Sequence, residues 1–232
     1  MPPGVHAAVR SLVDQLDREG WCFLRGALSP EAVEGLRGML PATGRPGVRG
    51  LAARCPGIVA SAITGDVRAA LLAALGEHAG VVRSILFDKS EASNWGVAWH
   101  RDQVMAFAER ADVPGFGAWS LKDGVPHARP PWEFISGCVT ARVHLDDTPA
   151  DNGALYVRPG SHRTPADEAP TSEPIVCEAQ AGDVLLLGAT IEHASDRAER
   201  PSHRRVIQLE CCGAEPPPPL RWAEWTPLGD AG

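Results

Sequence analysis

The sequence predicts a single, mainly β domain, a sandwich or barrel of short strands that N-terminal helices brace. Three observations support this prediction. Apolar residues at helical spacing dominate the first 78 residues, short strands separated by turn signals follow from residue 80, and no linker or internal repeat divides the chain. The length of 232 residues suits one large domain, and a hydrophobic content of 44% is enough for a core.

The N-terminal part predicts three helices and one strand. Apolar residues at helical spacing predict a helix over residues 5–18, and the apolar run 21–24 predicts a short strand. Ser29 is a capping hydroxyl and Pro30 suits a first helical turn, so a second helix is expected to begin there. Alanine and leucine dominate residues 66–75, which predict the third helix.

The clearest strand pattern lies in residues 138–145, where polar and apolar side chains alternate. One face carries Thr140, Arg142 and His144, and the other carries Ala141, Val143 and Leu145. Such a strand is expected to pack its apolar face on helices and to turn its polar face towards a site. Further strands are predicted over residues 81–88, 154–157, 184–187 and 204–211.

The composition argues against several classes of protein. A formal charge of −7 and a pI near 5.6 argue against a nucleic-acid partner, which usually meets a basic face. No apolar run reaches the ~20 residues of a membrane helix, and the early acidic residues are untypical of a signal peptide. Six scattered cysteines without a C-x-x-C pair are read as reduced thiols. We therefore expect a cytoplasmic protein with no membrane partner.

The chemistry of the chain is indicated by two distant segments. His100 and Asp102 stand two residues apart, so in an extended segment both project from the same face. One imidazole and one carboxylate are two-thirds of the facial triad that holds Fe(II) in non-haem oxygenases. His193 supplies a third ligand from a predicted neighbouring strand, and Arg204, eleven residues later, supplies a cation for an anionic co-substrate.

Taken singly, each of these residues has an ordinary interpretation, because His-x-Asp is a common pair and Arg204 lies among other arginines. Their order and spacing favour the metal site. Arg204 begins an otherwise apolar strand, where burying a guanidinium without an anion is costly. Its two-pronged fork matches a carboxylate, and Ser195 lies two residues after His193, on the same face, to add a hydroxyl.

Residues 104–135 follow the His-x-Asp pair directly. They are rich in glycine, proline and tryptophan and show little periodicity. An irregular stretch of that length in a compact domain is typically functional. We therefore expect this stretch to form a lid over the pocket.

On these residues the chain resembles the phytanoyl-CoA dioxygenase family of Fe(II)- and 2-oxoglutarate-dependent oxygenases. The matching segments are Leu86-Phe87-Asp88-Lys89, Trp99-His100-Arg101-Asp102-Gln103, Asn152-Gly153-Ala154-Leu155, Arg158-Pro159-Gly160-Ser161-His162, Gly182-Asp183-Val184, His193-Ala194-Ser195 and Arg204. They run from about residue 80 to 212. The agreement of the Asn-Gly-Ala-Leu and Pro-Gly-Ser-His blocks with the distant histidine and arginine makes the resemblance specific.

The resemblance implies a double-stranded β-helix, a cupin-like jelly roll with the metal between its two sheets. The whole chain, 1–232, is then one domain with a helical part over 1–78, a β-helix core over about 80–212 and a lid over about 104–135. His100, Asp102 and His193 are the implied iron ligands, and Arg204 with Ser195 holds the far carboxylate of 2-oxoglutarate. Ile85 and Arg142 line its pocket, although Arg142 has the alternative role of holding an acidic substrate.

The implied activity is oxidation of a small molecule, by hydroxylation or otherwise, with consumption of O2 and 2-oxoglutarate and release of succinate and CO2. Asp102 favours hydroxylation over the related halogenation, for which the carboxylate is replaced. A polar or anionic small molecule is the first expectation for the substrate, because Arg101, Lys122, Arg142 and His144 lie in this region. An acyl-CoA or a natural-product intermediate is the second. The residues predicted to orient the substrate are Trp99, Arg101, Gln103, Trp119, Lys122 and His127.

Two alternatives remain open from the sequence. One is a cupin-like metalloenzyme that does not use 2-oxoglutarate, and the other is a non-catalytic module in which the metal is structural. The oligomeric state has no signal in the sequence.

Overall fold

The structure is a computed structural model that describes residues 3–42, 46–164, 168 and 170–229. Its helices are α1 Pro3–Glu19, α2 Pro30–Met39, α3 Leu51–Arg54, α4 Ile58–Ala62, α5 Gly65–Leu75 and α6 Trp132–Ile135. Its strands are β1 Trp21–Leu24, β2 Gly47–Arg49, β3 Gly80–Lys89, β4 Val97–His100, β5 Met105–Ala106, β6 Gly117–Lys122, β7 Val125–Arg129, β8 Cys138–His144, β9 Leu155–Val157, β10 Ile175–Cys177, β11 Val184–Gly188, β12 His193–Ser195, β13 Arg204–Cys212 and β14 Thr226–Pro227. Within the described ranges, no helix has the length and apolar character needed to cross a bilayer.

The strands form three antiparallel sheets. The major sheet has the order β1-β11-β8-β13-β3-β14, with β2 also paired to β3. The minor sheet has the order β10-β9-β12-β4, and the third, small sheet has the order β5-β7-β6. Side chains of both the major and the minor sheet line one cavity between them. The prediction of a mainly β jelly roll with flanking helices is confirmed.

Helices cover the outer face of the major sheet. Val143 of β8 and Ile207 of β13 belong to one buried cluster with Leu36 of α2 and Leu71 of α5. The alternation predicted for residues 138–145 is therefore confirmed, since the apolar side chains of β8 pack on helices. The polar side chains of that strand are left on the inner face, between the two sheets.

The N-terminal elements agree with their sequence signals. Helix α1 contains the predicted span 5–18, β1 matches residues 21–24, and α5 begins one residue before the predicted span 66–75. Ser29 caps α2, because its hydroxyl oxygen accepts a hydrogen bond from the Ala32 N–H at 3.3 Å. Apolar spacing, together with the cap of α2, was therefore enough to predict these elements.

The stretch 104–135 has regular structure, so the prediction of an irregular segment is wrong. Strands β5, β6 and β7 form the small sheet, and α6 follows it. The strands hold two to six residues each, and an irregularity between Gly117 and Ser120 interrupts the pairing of β6. Such short, interrupted strands leave no periodicity to read. Their packing is aromatic, with Phe107 stacked on Trp222 at 5.4 Å between ring centroids.

All six cysteines are buried free thiols in the structure, and their reduced state stays a prediction. Cys138 and Cys212 are direct partners in the register of β8 and β13, and their sulfur atoms lie 2.8 Å apart. Burial raises the pKa of the Cys22 thiol to about 12 and has the same effect on Cys177. The cysteines therefore act as small apolar side chains of the core.

Gly182, in the turn before β11, has no room for a side chain. Its φ is +93°, and an added Cβ would lie 2.5 Å from the carbonyl oxygen of Leu28. The Leu28 N–H donates to the Gly182 carbonyl at 3.0 Å, so this contact joins the turn to the start of α2. Positive φ and close backbone approach together require glycine here.

We predict that Gly182→Ala lowers the free energy of unfolding by about 2 kcal/mol or more, because it adds backbone strain to a clash with main-chain atoms. Gly35→Ala is the matched control. Gly35 is exposed in the middle of α2 with open space around its Cα, so alanine there should be neutral or stabilising by up to about 1 kcal/mol. Urea denaturation followed by tryptophan fluorescence measures both. Equal stabilities for the two variants would contradict the prediction.

Candidate metal centre and adjoining cavity

Strand pairing brings the two candidate histidines together. In the antiparallel register of β4 and β12, His100 lies directly opposite His193, and their ring centroids are 4.2 Å apart. Asp102 follows two residues after the end of β4, in irregular backbone. Its carboxylate oxygens lie 3.7 Å from His100 Nε2 and 3.9 Å from His193 Nε2. Three side chains from two distant segments therefore converge on one point.

Backbone carbonyls fix the orientation of both rings. Nδ1 of His100 lies 2.8 Å from the Ala98 carbonyl oxygen, and Nδ1 of His193 lies 3.0 Å from that of Ile191. Because a carbonyl oxygen only accepts, Nδ1 carries the proton in each ring. Nε2 is then the unprotonated nitrogen and faces Asp102. This is the outer-shell arrangement that orients metal-binding histidines.

The donor set fits a divalent transition metal. One ligand atom from each of His100, Asp102 and His193 lies within 4.8 Å of the other two. Burial lowers the pKa of His193, against a smaller opposing effect of the Asp102 carboxylate, so the imidazole is kept in the neutral form that binds metals. Two neutral imidazoles and one carboxylate are the facial set that suits Fe(II) and leaves other coordination positions open.

A cavity of about 140 Å³ adjoins the three ligands. The minor sheet contributes His100, His193 and Ser195 to its wall, and the major sheet contributes a row of polar side chains. These are Lys89, Arg142, Arg204 and Gln208. The volume is close to that of an engineered cavity that binds benzene, so it fits one small molecule.

Arg204 lies deep in this cavity at the first position of β13. It is 4% exposed, and its Nη1 donates to the Gly153 carbonyl oxygen. Its Nε is buried without a hydrogen-bond partner in the described part of the chain. Burial lowers the pKa of Arg204 to about 10, which still leaves the guanidinium charged at neutral pH. The residue therefore presents a buried charge with an unfilled donor.

Lys89 also faces the cavity, and sequence reasoning gave it no role. It pairs with Arg204 in the register of β3 and β13, and it is 3% exposed. Its Nζ donates to the Ser195 hydroxyl at 3.4 Å and stands 4.8 Å from the ring centroid of Trp95. Burial, followed by the charges of Arg204 and Arg142, lowers its pKa to about 7. Alternation along β3 could have indicated this position, because Lys89 lies two residues after Phe87 and so on the same face of the strand.

Arg142 completes the group of cations. Its Nη1 donates to the Gln208 amide oxygen, and its guanidinium carbon lies 5.5 Å from the ring centroid of Phe87. Burial lowers its pKa to about 10. Among the residues that line the cavity, Lys89, Arg142 and Arg204 face a single carboxylate, that of Asp102. The cavity therefore favours a small dianion.

The polar neighbour His144 does not add to this charge. Burial and the nearby arginines lower its pKa to about 3, so the ring is neutral at pH 7. Its Nδ1 lies 3.2 Å from the Thr148 hydroxyl oxygen. Ile85, predicted to line the co-substrate pocket, is buried opposite Gln208 in the strand register. The lining of the cavity on β3 consists of Phe87 and Lys89.

The residues predicted to orient the substrate are dispersed. Trp99 is 39% exposed under the guanidinium of Arg158, and Arg101 donates to the Thr164 carbonyl at 2.7 Å. Gln103 is half-buried in the irregular segment between β4 and β5.

The other three predicted substrate residues belong to the small sheet. Trp119 packs on Phe107 with ring centroids 5.8 Å apart, so it contributes to the aromatic core. Lys122 and His127 instead line a second cavity. The sequence therefore singled out Lys122 and His127, but it did not predict β6 and β7, the strands that bring them together.

Comparison with known sequences identifies one family. The family model described as phytanoyl-CoA dioxygenase matches residues 16–206, which includes all three candidate ligands and Arg204. No curated protein sequence matches the chain. The matched segment contains helices α2 to α6 and strands β1 to β12.

Solved structures share the fold at low sequence identity. The non-heme alpha ketoglutarate dependent epimerase SnoN from nogalamycin biosynthesis has a TM-score of 0.67 and 17% identity, over 97% of this chain and 88% of its own. HygX from Streptomyces hygroscopicus with nickel and 2-oxoglutarate bound has a TM-score of 0.61 and 18% identity, over 88% and 86%. EctD from S. alaskensis with 2-oxoglutarate and 5-hydroxyectoine has a TM-score of 0.65 and 20% identity, over 86% and 74%.

We predict that Lys89 makes stability rise with pH. Its folded-state pKa of about 7 lies below the ordinary 10.5. Between pH 7 and 10.5 the unfolded chain therefore binds more protons than the folded chain, and the free energy of unfolding rises with pH. Over pH 7 to 9.5 the metal-free protein should therefore gain about 2 kcal/mol of unfolding free energy relative to Lys89→Met. Urea denaturation at several pH values measures the difference. Parallel pH curves for the two proteins would refute it.

Proposed function

The chain belongs to the phytanoyl-CoA dioxygenase family, and from this premise we propose that it is an Fe(II)- and 2-oxoglutarate-dependent dioxygenase that hydroxylates a small molecule. One observation carries the proposal. The His100–Asp102–His193 donor set stands beside a cavity in which a buried guanidinium has an unfilled donor. Iron, 2-oxoglutarate and O2 are the cofactor and co-substrates, and succinate and CO2 are the products besides the oxidised substrate.

In this proposal Nε2 of His100, Nε2 of His193 and the carboxylate of Asp102 hold the iron. When bound, the metal and its co-substrate supply the oxidising chemistry, in which the 2-oxo acid is decarboxylated to succinate as O2 is reduced. The chain contributes ligand geometry. Nδ1 of both rings is engaged by backbone carbonyls, so neither imidazole can turn its Nε2 away without losing a hydrogen bond.

The far carboxylate of 2-oxoglutarate is assigned to the buried end of the cavity. Arg204 offers it the free Nε of a planar fork. Ser195 offers a hydroxyl, and Lys89 stands within 3.4 Å of that hydroxyl. Binding of a dianion there raises the pKa of Lys89 back towards its usual range, because the anion offsets its burial and the neighbouring cations.

Arg142 takes the second wall of the same pocket in this proposal. Its partner Gln208 fixes the guanidinium, so that Arg142 contributes charge and shape while its own Nε stays buried. The fixed arginines exclude water from the inner end of the cavity and cost little reorganisation when the co-substrate binds. Ile85 supports this wall from the neighbouring strand position.

Hydroxylation is proposed over other outcomes because the carboxylate ligand is present. Asp102 would hold the metal through its carboxylate, whereas a small residue at this place would leave room for a halide. The chain as one domain completes the proposal: residues 1–78 brace the major sheet, residues 80–212 carry the site, and residues 104–135 wall its substrate side as a lid.

The metal ligands are tested by direct binding. Under anaerobic conditions the protein should bind about one Fe(II) per chain, and His100→Ala, Asp102→Ala and His193→Ala should each weaken binding ~100-fold or more, because three ligands leave little redundancy. Calorimetric titration measures this. His78→Ala, an exposed histidine of the loop before β3, should leave the affinity unchanged. Retained binding in the three ligand variants would exclude this centre.

The co-substrate assignment is tested at Arg204. Arg204→Met should raise the KM for 2-oxoglutarate roughly 10- to 100-fold, since a charge-assisted hydrogen bond contributes ~1.5–3 kcal/mol. Arg200→Met, whose side chain is 85% exposed, should leave the KM unchanged. Succinate release gives the rates, and thermal denaturation shows that each variant is folded.

These assays also separate the two alternatives. A cupin-like enzyme that does not use 2-oxoglutarate predicts turnover that is indifferent to Arg204 and to the co-substrate. A non-catalytic module predicts no succinate from protein supplied with Fe(II), ascorbate, 2-oxoglutarate and any metabolite pool. Either result would overturn the proposed function.

A further inference from the structure

A second cavity, of about 320 Å³, opens beside the small sheet. Its wall combines elements that are remote in sequence: β2, β3, the β6–β7 hairpin and the segment before β14. We call it the basic cavity, and its polar wall consists of Arg49, Arg54, Arg83, Lys122, Asp123, His127 and Glu224. The proposed co-substrate pocket uses none of these side chains.

Two groups of this wall lack partners although they are wholly or partly buried. His127 is 2% exposed, and its Nδ1 lies 2.9 Å from the Val125 carbonyl oxygen, so the opposite nitrogen is free of a proton. That Nε2 has no hydrogen-bond partner among the residues that the structure describes. Lys122 is half-buried and, within the same described ranges, makes no hydrogen bond or ion pair. Both groups are available to a ligand.

The cationic side chains of the wall repel one another. Burial lowers the pKa of Lys122, and the charges of Arg83 and Arg49 lower it further. Burial also lowers the pKa of His127, and Arg83, Lys122 and Arg49 add to that effect. An anion placed among these groups would relieve the repulsion.

Carboxylates offset this charge only in part. Asp123 pairs with Arg49 at 2.9 Å, and Glu210, behind the wall, pairs with Arg83 at 2.9 Å. Glu224 accepts a hydrogen bond from the Ser84 hydroxyl. Burial raises the pKa of both Glu210 and Glu224, against the opposing charge of Arg83. Lys122 forms no ion pair with any described residue, and the charges of Glu210 and Asp102 only partly oppose the effects that lower its pKa.

The basic cavity lies near the candidate metal centre, since the charge of the Asp102 carboxylate acts on Lys122 in its wall. Ala106 lines it four residues after Asp102, a separation that spans at most ~14 Å of extended chain. On the sheet, Gln208 lines the first cavity and donates to Glu210 at 3.2 Å, and Glu210 holds Arg83 of the second. A molecule anchored in the basic cavity therefore lies within reach of the metal ligands.

Each of the two cavities contains one lysine, and these are the two lysines of the sequence. The chain has 22 lysine and arginine residues together, and only Lys89 and Lys122 are lysines. Lys89 lines the first cavity and Lys122 lines the second. A compact ammonium with three donors binds an anionic oxygen as a point charge, without the planar geometry that a guanidinium requires.

We propose that the basic cavity holds the substrate and that the substrate is a small organic anion, a carboxylate or a phosphate ester, whose charged group binds Lys122 beside Arg83. This inference deepens the proposed function and rests on it. The neutral Nε2 of His127 accepts a hydrogen bond from a hydroxyl or N–H group elsewhere on the same molecule. The rest of the molecule extends towards His100, Asp102 and His193.

The first test measures binding with the first cavity filled. Anaerobic protein with Fe(II) and saturating 2-oxoglutarate is titrated calorimetrically with carboxylates and phosphate monoesters, each beside its neutral amide or alcohol. Anions should bind at least tenfold more tightly than their neutral counterparts. For the best anion, Lys122→Met should weaken binding roughly tenfold or more and Lys122→Arg should restore most of it. Arg129→Met, an exposed residue of the same hairpin, should have no effect.

The second test needs no variant. The two lysines are acetylated with N-hydroxysuccinimidyl acetate and followed by peptide mass spectrometry. Fe(II) with 2-oxoglutarate should slow acetylation of Lys89, and the best anion should slow that of Lys122. If no anion outbinds its neutral counterpart, or if Lys122 is never protected, the inference is wrong while protection of Lys89 keeps the proposed function. If neither lysine is protected from acetylation, both proposals are wrong.

Discussion

The antiparallel register between β4 and β12 is the constraint on which the candidate metal centre depends. It places His100 opposite His193, and the side chains of opposed residues lie on the same face. A slip of one residue would send one imidazole to the other face of the sheet. The backbone carbonyls of Ala98 and Ile191 then hold both rings in the orientation that directs Nε2 to Asp102. Ligand geometry is thus fixed by main-chain atoms, which substitution of neighbouring side chains does not remove.

A second register has an electrostatic consequence. Pairing of β3 with β13 sets Lys89 opposite Arg204, and like charges directly opposite each other destabilise a sheet. The protein relieves this cost in part by lowering the pKa of Lys89 to about 7 and by stacking that lysine on Trp95. Within the described ranges no carboxylate forms an ion pair with Lys89 or Arg204, and the charge of Asp196 offsets only a small part of the effect on Lys89. A sheet that buries cations without counterions is best explained by a bound anion, and this is why the cavity supports the proposed co-substrate more strongly than the three ligands alone.

The sequence predicted the parts of this structure that depend on local pattern. Alternation in residues 138–145 predicted both the helix-packed face and the polar inner face of β8, and Ser29 predicted the start of α2. The type and spacing of His100, Asp102 and His193 predicted the candidate ligands, and the family resemblance agreed with that set. The small sheet was missed because strands of two to six residues with an interruption near Gly117 show no period. Lys89 and Gln208 were missed for another reason. Alternation places each on one face of its strand, but their roles depend on which strands become neighbours, and no local pattern encodes that.

The inner face of β13 shows how one strand serves two cavities of different character. Because side chains alternate along a strand, Arg204, Gln208 and Glu210 lie on the same face of β13. Arg204 lines the first cavity, and Glu210 pairs with Arg83 of the second. An amide is the side chain that suits the boundary, because it accepts from Arg142 on one side and donates to Glu210 on the other. A carboxylate at position 208 would compete with the co-substrate for the arginines, and a cation there would add to their repulsion. The neutral Gln208 therefore keeps the charge of each cavity available to its own ligand.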